Sequence, residues 1–577
     1  PQALEASKRD RFEMATRPNK SDELILRDSN TIYKLYATRS ENVRYLFPQQ
    51  NSDPADSHKI KICLSCAYVE NEDFVTKQHD ACPHDGGTWQ QFNCYQSVSE
   101  ESKRDKRQCP ACDTTDALRL VASRVTTLSS VVNSQLYLST SNPQESKKLL
   151  VFSDSVQDAS HRSGYYNART YRFNFRTAMQ SFLKDQKHVF KFNDATAKFF
   201  TYWQDKISTA KTVATLTPSD LQCLPEYHDY FCSKSNALLT LLEKRITWEF
   251  YLEYSLRSQV GRTLEKTLCS AVFINTDLAA AIDETYDDIA SRYEVVRHSK
   301  RNSKQVQGYR TFVLGIIKRL LMKGGIAFDV MHAYRIEENS WQLGKNNRDQ
   351  LWISNLPRGR MQRGSDTGAL PKFLTTNYNS KTFERVHAAK NNSNWHSLWL
   401  MKCFDYQPTK FEPQDFHRLY TDVLCALSEA GILHKVSNAK KVFSNFGIAP
   451  SQLALSTEVN RLQCSVCYHK VVVAKQQLAL WQTLPCLAAR CKGSYQLQTE
   501  DSAEQKYYRR IYEAGEVERI FAHEHTGLLG RRRREQIEAE FKNSNDRRAD
   551  AINLLSCTPT LEMGIDIGDL SATVVAS

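Results

Sequence analysis

The chain has 577 residues, of which 41% are hydrophobic and 25% are charged, as in a globular protein with several cores and roughly four domains. No apolar run reaches the roughly 20 residues that a membrane span needs, and no charged-then-apolar leader opens the chain, so we expect a cytoplasmic protein without a membrane partner. The formal net charge of +12 fits a polyanionic partner, although it is spread over a long chain.

Sixteen cysteines, several of them in Cys-x-x-Cys pairs, favour thiolate metal ligands over disulfides in a protein without an export signal. Residues 1–60 are polar and are interpreted as a linker or the end of a preceding element. Residues 61–115 then form a predicted zinc-binding module. Its expected ligands are Cys63, Cys66, Cys109 and Cys112. Cys82, His84 and Cys94 lie between the two pairs, and completion of the site by Cys82 or Cys94 is an open alternative.

Residues 116–160 are predicted to begin an α/β domain. A short apolar run from Leu149 to Phe152 follows two lysines and ends in Ser153-Asp154-Ser155. Such a run, bounded by polar residues, is typical of a buried parallel strand.

The pattern between residues 161 and 330 becomes helical. Apolar residues recur at spacings of three and four in 173–183, 238–256 and 312–322, which predicts amphipathic helices packed on one another. The acidic stretch Asp283-Glu284-Thr285-Tyr286 falls inside this helical region and is a poor counterpart of an Asp-Glu-Ala-His box.

Residues 331–460 are predicted to be winged-helix-like. A helix at 415–430 ends at Gly431, and two short strands at 432–436 and 441–446 follow. The predicted buried face of this helix consists of Phe416, Leu419, Tyr420, Val423, Leu424 and Leu427. A generic helix and hairpin without any DNA contact is an equal alternative.

Two features upstream of that helix can either contact nucleic acid or have only a structural role. The arginines at 358, 360 and 363 can meet phosphates, and Trp395 and Trp399 can stack on bases. A solvated loop and a pair of core tryptophans are the more common explanation for such residues.

Residues 461–500 are predicted to be a zinc ribbon. Cys464, Cys467, Cys486 and Cys491 form two pairs closed by Gly493, and two facing turns of this kind deliver the four soft ligands that Zn²⁺ prefers. Four thiolates leave no open position for water, so we expect a structural ion and not a catalytic one. Unpaired buried thiols are the alternative.

Residues 501–577 are predicted to complete the α/β domain. A strand and loop at 519–529 precede a helix at 530–541, and a buried strand at 551–558 ends in Thr558. In open α/β sheets ligands bind at the carboxyl ends of the strands. We therefore predict that the runs around Leu150 and Leu555 lie side by side in one sheet, with folded domains inserted between them.

Three segments of the chain, in this order, resemble motifs of superfamily 2 helicases, specifically DEAD/DEAH-box DNA helicases of the Lhr-like bacterial kind. Residues 148–159 resemble the motif IV strand, written FSDSRQDA in that family, with Val156 in place of the arginine. Glu-His-Thr-Gly at 524–527 and the arginine-rich helix after it resemble a strand-binding segment. Residues 558–570 resemble motif V, and the sequence around Cys486 and Cys491 resembles the family's zinc segment.

The resemblance implies an α/β plus α fold, in which a split, incomplete RecA-like parallel sheet carries a helical and winged-helix-like insertion and small zinc modules. It also implies a fragment of an ATP-dependent DNA helicase or translocase of genome maintenance or phage defence, contributing the second motor domain. ATP and Mg²⁺ would bind together with a first motor domain. The sequence contains no Gly-x-x-x-x-Gly-Lys-Ser/Thr loop, so we expect no ATPase activity from this chain alone.

Residue roles follow from the resemblance. Asp566 would meet the ATP ribose, and Glu562 would link the nucleotide to the tracked strand. The expected nucleic-acid contacts are Ser153, Asp154, Gln157, Thr526, Gly527, Arg531, Arg534, Thr558 and Gly564. The alternative function is a zinc-stapled scaffold that binds nucleic acid or protein without motor activity.

Overall fold

A computed structural model describes the backbone of seven strands before residue 125 and most of the chain after it. From residue 125 onward the described residues are 125–139, 147–153, 155–186, 189–233, 235–256, 258, 262–275, 277–296, 303–336, 371–386, 394–404, 413–437, 443–488, 490–498, 503–513, 517–542, 548–558 and 570–575. The chain divides into two units, and the first consists of residues 1–123, 464–469 and 486–494.

The first unit is built on β-structure. Its strands are β1 (Ala3–Glu5), β2 (Glu23–Asp28), β3 (Thr31–Tyr36), β4 (Val43–Pro48), β5 (His58–Cys63), β6 (Val69–Asn71) and β7 (Trp89–Gln96). Five of them form an antiparallel sheet in the order β1-β4-β7-β5-β6, and β2 pairs with β3 as a hairpin. The domain boundaries stay predictions, although β5 runs across the one at residue 60.

The second unit is a mixed α/β structure. Its strands are β8 (Leu149–Phe152), β9 (Val189–Lys191), β10 (Ala271–Ile274), β11 (Leu374–Thr375), β12 (Glu384–Arg385), β13 (Leu433–Ser437), β14 (Ser444–Ile448), β15 (Leu453–Ser456), β16 (Val459–Cys464), β17 (Lys470–Ala474), β18 (Tyr495–Leu497), β19 (Ala522–His525), β20 (Leu554–Cys557) and β21 (Ala572–Val575). They form four small sheets, in the orders β10-β15-β9, β12-β11-β14-β13, β17-β16-β18 and β19-β20-β8-β21.

Helices make up most of the rest of this unit. They are α1 (Val125–Ser139), α2 (Val156–Asp185), α3 (Phe192–Ile207), α4 (Thr209–Leu216), α5 (Ser219–Gln222), α6 (Pro225–Ser233), α7 (Ala237–Tyr254), α8 (Leu278–Arg292), α9 (Ser303–Met322), α10 (His332–Ile336), α11 (Trp395–Phe404), α12 (Pro413–Glu429), α13 (Leu478–Trp481), α14 (Ala503–Glu513) and α15 (Arg531–Lys542). Among the described residues, no helix is both long and apolar enough to cross a lipid bilayer.

The sheet β19-β20-β8-β21 is parallel throughout and brings distant parts of the chain together. Leu149 pairs with Leu554 and Phe152 pairs with Cys557, in one continuous register. On either side, β19 pairs with β20, and β21 pairs with β8. The prediction that the runs around Leu150 and Leu555 are neighbours in one parallel sheet is therefore confirmed.

Helices cover both faces of this sheet because successive side chains of a strand point to opposite faces. One face packs on α1 and α2, in a core of Tyr137, Leu149, Val151, Tyr166, Ile520, Ala522 and Leu554. The other face packs on α15, in a core of Leu150, Ile537, Phe541, Ile552, Leu555 and Cys557. The result is a three-layer α/β/α arrangement, the usual setting of a parallel sheet.

Helix α2 extends from this sheet into the long insertion at residues 186–517. At 30 residues it is about 45 Å long. Its first half packs on the sheet through Tyr166, whereas its second half enters an aromatic core in which Phe182 and Phe250 contact Phe199 at centroid distances of 5.6 and 5.2 Å. One rigid element thus joins the sheet to the insertion, and it runs across the boundary predicted at residue 160.

The insertion confirms the predicted helices but also contains strands. The segments predicted to be helical at 173–183 and 312–322 lie in α2 and α9, and the one at 238–256 lies in α7 as far as Tyr254. The acidic stretch at 283–286 lies in α8. However, β9 and β10 pair with β15 in an antiparallel sheet, a pairing across more than 160 residues that helical periodicity does not reveal.

The predicted helix, glycine and hairpin are present. Helix α12 buries all six residues of its predicted apolar face, Gly431 adopts a left-handed φ of 74°, and β13 pairs antiparallel with β14. Trp399 is a core residue whose indole N–H donates to the Phe312 carbonyl at 3.1 Å, and Trp395 stacks on it. The arginines at 358, 360 and 363 lie outside the described residues.

Candidate functional site

Three predicted site residues lie at the carboxyl edge of the parallel sheet. Because His525, Cys557 and Phe152 are in register at the ends of β19, β20 and β8, the residues that follow them lie side by side. These residues are Thr526, Thr558 and Ser153. The Ser153 N–H donates to the Cys557 carbonyl at 2.8 Å, which fixes the middle of this edge.

Two hydroxyls at this edge are buried without a hydrogen-bond partner among the described residues. Ser153 and Thr526 are 2% and 1% exposed, and neither Oγ of Ser153 nor Oγ1 of Thr526 hydrogen-bonds to any residue that the structure describes. Oγ of Ser556, inside β20, is in the same state. A buried hydroxyl without a partner costs about 1–3 kcal/mol, and such groups call for a bound ligand or water.

Helix α15 adds positive charge at the same edge. Its first turn is Arg531–Arg534, with no acidic residue, although the helix dipole favours negative charge at an N-terminus. Its last turn lies at the opposite edge of the sheet, because the ammonium of Lys148, just before β8, donates to the Lys542 carbonyl at 3.0 Å. The arginine-rich turn therefore lies at the carboxyl edge, where a bound anion would offset its charge repulsion.

The orientation of α15 is fixed by a contact between a buried histidine and a carboxylate. Nε2 of His525, which is 3% exposed, lies 2.7 Å from a carboxylate oxygen of Glu538. Arg531 is largely exposed and pairs with Glu535 one turn further on at 2.8 Å. Gly527 has open space where a side chain would begin, so the backbone there is accessible to a ligand.

The remaining predicted contacts divide into two groups. Gln157 is exposed in the first turn of α2, which follows β8 and begins at the N-cap Ser155, whose hydroxyl accepts from the Asp158 N–H at 3.0 Å. Arg534 is half-buried in α15. The other predicted residues, Asp154, Glu562, Gly564 and Asp566, lie outside the described residues. The sequence analysis missed Lys148, His525 and Glu538, which position α15, although Lys148 and His525 lie within the motif segments.

The four predicted zinc ligands of the second cysteine set form one cluster. The sulfurs of Cys464, Cys467, Cys486 and Cys491 all lie within 4.8 Å of one another. The Cys464 and Cys491 sulfurs are 3.6 Å apart, and the Cys467 and Cys486 sulfurs are 3.5 Å apart. A disulfide needs about 2.05 Å, whereas four sulfurs at about 2.3 Å from a tetrahedral ion are about 3.8 Å apart. The spacing fits a metal ion and excludes disulfides in this arrangement.

Backbone groups around the cluster are arranged for thiolates. The N–H groups of Val466, Ala488 and Gly493 point at the sulfurs of Cys464, Cys486 and Cys491 over 3.4, 3.4 and 3.3 Å. A β-carbon at position 493 would lie 2.5 Å from the Cys464 sulfur, so only glycine fits there. The four cysteines can therefore hold one zinc ion, with no vacant coordination position.

Two cysteines of the cluster have pKa values shifted in opposite directions. Hydrogen bonds from the Cys467 and Cys486 thiols, helped by the Gly493 N–H, outweigh burial and lower the pKa of Cys491 to about 2. At Cys486 the hydrogen bond with Cys467 lowers the pKa, but the hydrogen bond with Cys491 and burial raise it to about 12.

The other predicted ligand set is not described in the same detail. Cys63 ends β5 and Cys94 lies within β7, both as backbone alone. Cys66, Cys82, His84, Cys109 and Cys112 lie outside the described residues. The predicted zinc site of residues 61–115 stays a prediction.

Comparison with known proteins identifies no relative. No protein-family model, no curated protein and no solved structure matches the chain.

Proposed function

We propose that this chain grips a nucleic-acid strand at the carboxyl edge of the sheet β19-β20-β8-β21, as the second motor domain of an ATP-driven DNA helicase or translocase does. The observation that carries the proposal is the convergence of Ser153, Thr526 and Thr558 on one edge that also holds the first turn of α15. The assignment to a motor protein comes from the resemblance of three segments to helicase motifs.

The chemistry of the edge supports a phosphate backbone as the ligand. Buried hydroxyls and an accessible backbone at Gly527 can donate hydrogen bonds to phosphate oxygens, and exposed arginines can displace counterions. These groups read no base edge. We therefore expect binding that is nearly independent of sequence and weakens steeply as salt rises.

The unpartnered hydroxyls provide a test in which stability and binding respond differently. Replacing Ser153 by Ala and Thr526 by Val removes hydroxyls that hydrogen-bond to none of the residues that the structure describes, so the free energy of unfolding should stay unchanged or rise by up to about 1 kcal/mol. Affinity for a labelled single-stranded oligonucleotide should fall about tenfold, since hydrogen bonds to phosphate are lost. Fluorescence anisotropy and urea unfolding measure the two quantities.

Thr170→Val is the matched control for this experiment. Thr170 is also buried, but its hydroxyl donates to the Tyr166 carbonyl at 2.7 Å, within α2. Its replacement should lower stability and leave oligonucleotide affinity unchanged. If Ser153→Ala and Thr526→Val behave like this control, the sheet edge is not the binding site.

We further propose that Cys464, Cys467, Cys486 and Cys491 hold a structural zinc ion, which would stabilise the two turns that carry them. The same cluster favours the second candidate function, a zinc-stapled scaffold that binds nucleic acid or protein without a motor. The two candidates separate in an ATPase assay on the natural full-length protein. Nucleic-acid-stimulated hydrolysis that is lost with Asp566→Ala supports the motor, and its absence from the wild type supports the scaffold.

A further inference from the structure

A bulky residue occupies a left-handed backbone position in one turn of the four-cysteine cluster. Tyr468 directly follows Cys467 and adopts a left-handed φ of 56°, while 43% of its surface is exposed. Left-handed backbone is strained for a bulky side chain and natural for glycine. The strain at Tyr468 therefore accompanies an aromatic ring that is only partly packed.

The turn itself determines the backbone at this position. The Cys464 N–H donates to the His469 carbonyl at 2.9 Å, and the Tyr468 N–H donates to the Cys464 carbonyl at 3.2 Å. The chain must reverse between these bonds to bring Cys464 and Cys467 to one ion. A glycine at 468 would satisfy the turn without strain, so the turn does not require the tyrosine ring.

The charge of the chain segment that carries the cluster indicates the kind of partner. Of the 577 residues in the chain, 65 are acidic, yet none lies between 459 and 499, where the basic residues are Arg461, Lys470, Lys475, Arg490 and Lys492. Arg490 and Lys492 are exposed on either side of Cys491, whose sulfur belongs to the same cluster as that of Cys467. Since consecutive Cα atoms are about 3.8 Å apart, both cations and Tyr468 are immediate chain neighbours of the cluster.

We propose that the four-cysteine turns form a second nucleic-acid contact, in which Tyr468 stacks on an unpaired base and Arg490 and Lys492 neutralise adjacent phosphates. An exposed aromatic ring in a segment that carries exposed cations and, from residue 459 to 499, no acidic residue is suited to binding single strands without sequence preference. This proposal rests on the proposed function in that both have a nucleic-acid strand as the partner. It uses none of the sheet-edge residues, so either can fail alone.

Tyr468→Gly in the zinc-loaded full chain separates a binding role from a structural one. The variant should retain its zinc and unfold at the same or a higher temperature, since glycine relieves the strain. Its affinity for a labelled single-stranded oligonucleotide should fall about tenfold, as expected for the loss of one base stack. Tyr468→Phe keeps the ring and should bind like the wild type.

Salt dependence identifies the charged part of the contact. The Tyr468 variants should leave the slope of log affinity against log salt unchanged, whereas Arg490→Gln with Lys492→Gln should make it shallower by about 0.7 for each charge. If Tyr468→Gly loses zinc, Tyr468→Asn replaces it, because asparagine tolerates the left-handed backbone.

Three results would overturn the proposal. The first is wild-type oligonucleotide affinity in a zinc-loaded Tyr468→Gly or Tyr468→Asn variant. This result would mean that the ring does not contact nucleic acid and binds either a protein or nothing. The second is loss of zinc in both variants, which would make the tyrosine a support of the metal site. The third is an unchanged salt slope after removal of Arg490 and Lys492. Nucleic-acid binding at the sheet edge is tested separately, with the Ser153 and Thr526 variants.

Discussion

Gly493→Ala should abolish zinc binding by the four-cysteine cluster. The new β-carbon would lie 2.5 Å from the Cys464 sulfur and 2.9 Å from side-chain atoms of Val466, and contacts this short force the turn away from the ion. Zinc content of the purified protein should fall by one ion per chain relative to the wild type. Chelator-indicator titration and elemental analysis both measure this quantity.

Gly164→Ala is the control for the added methyl group. Gly164 lies within α2, and a β-carbon there would meet no neighbouring atom within 4 Å, so alanine fits and favours the helix by about 0.5–1 kcal/mol. Zinc content should be unchanged in this variant. A Gly493→Ala protein with full zinc content would show that the cluster does not close around an ion as its geometry indicates.

Arg519→Met should be the most destabilising single substitution in the sheet region. The guanidinium is 1% exposed and donates to the carbonyls of Ala214, Thr215 and Thr217 at the C-terminal end of α4. It also lies over the ring of Phe521 at 5.0 Å. Methionine fills similar volume but leaves buried carbonyls unpaired, so the free energy of unfolding should fall by about 3 kcal/mol or more.

Arg509→Met tests whether the loss of stability expected for Arg519→Met comes from the burial of that arginine. Arg509 lies in α14 and pairs with Glu513 one turn away at 3.1 Å, with 40% of its side chain exposed. Exposed pairs of this kind contribute about 0.5 kcal/mol or less. In urea unfolding, the loss of free energy of unfolding should therefore be several times larger for Arg519→Met than for Arg509→Met. Equal effects would mean that Arg519 is not holding α4 to the start of β19.

The features that could be predicted from sequence are those with local signatures. The runs at 149–152 and 554–557 are short, apolar and followed by hydroxyl residues, which is typical of buried parallel strands, and they are neighbours in the sheet. The apolar face of α12 follows helical spacing, and Gly431 ends it with a positive φ. The cysteine spacing at 464–491 predicted one cluster because each pair already forms half of a tetrahedron.

The features that could not be predicted depend on contacts between distant residues. Strands β9, β10 and β15 are only three or four residues long, and an apolar run such as Ala271–Ile274 does not distinguish a strand from part of a buried helix. The capping of Lys542 by Lys148 and the contact of His525 with Glu538 arise only when α15 packs on the sheet. Sequence therefore indicated which residues form the edge but not how its helix is held.

The salt dependence of oligonucleotide binding by a variant with both Arg531→Gln and Arg534→Gln tests nucleic-acid binding at the sheet edge most directly. If α15 meets a phosphate backbone, the slope of log affinity against log salt should become shallower by about 0.7 for each arginine removed. Arg292→Gln is the matched control, since Arg292 is a half-exposed arginine that also pairs with a carboxylate one turn away, and it should leave the slope unchanged. A slope in the double variant equal to that of the wild type would contradict nucleic-acid binding at this sheet edge.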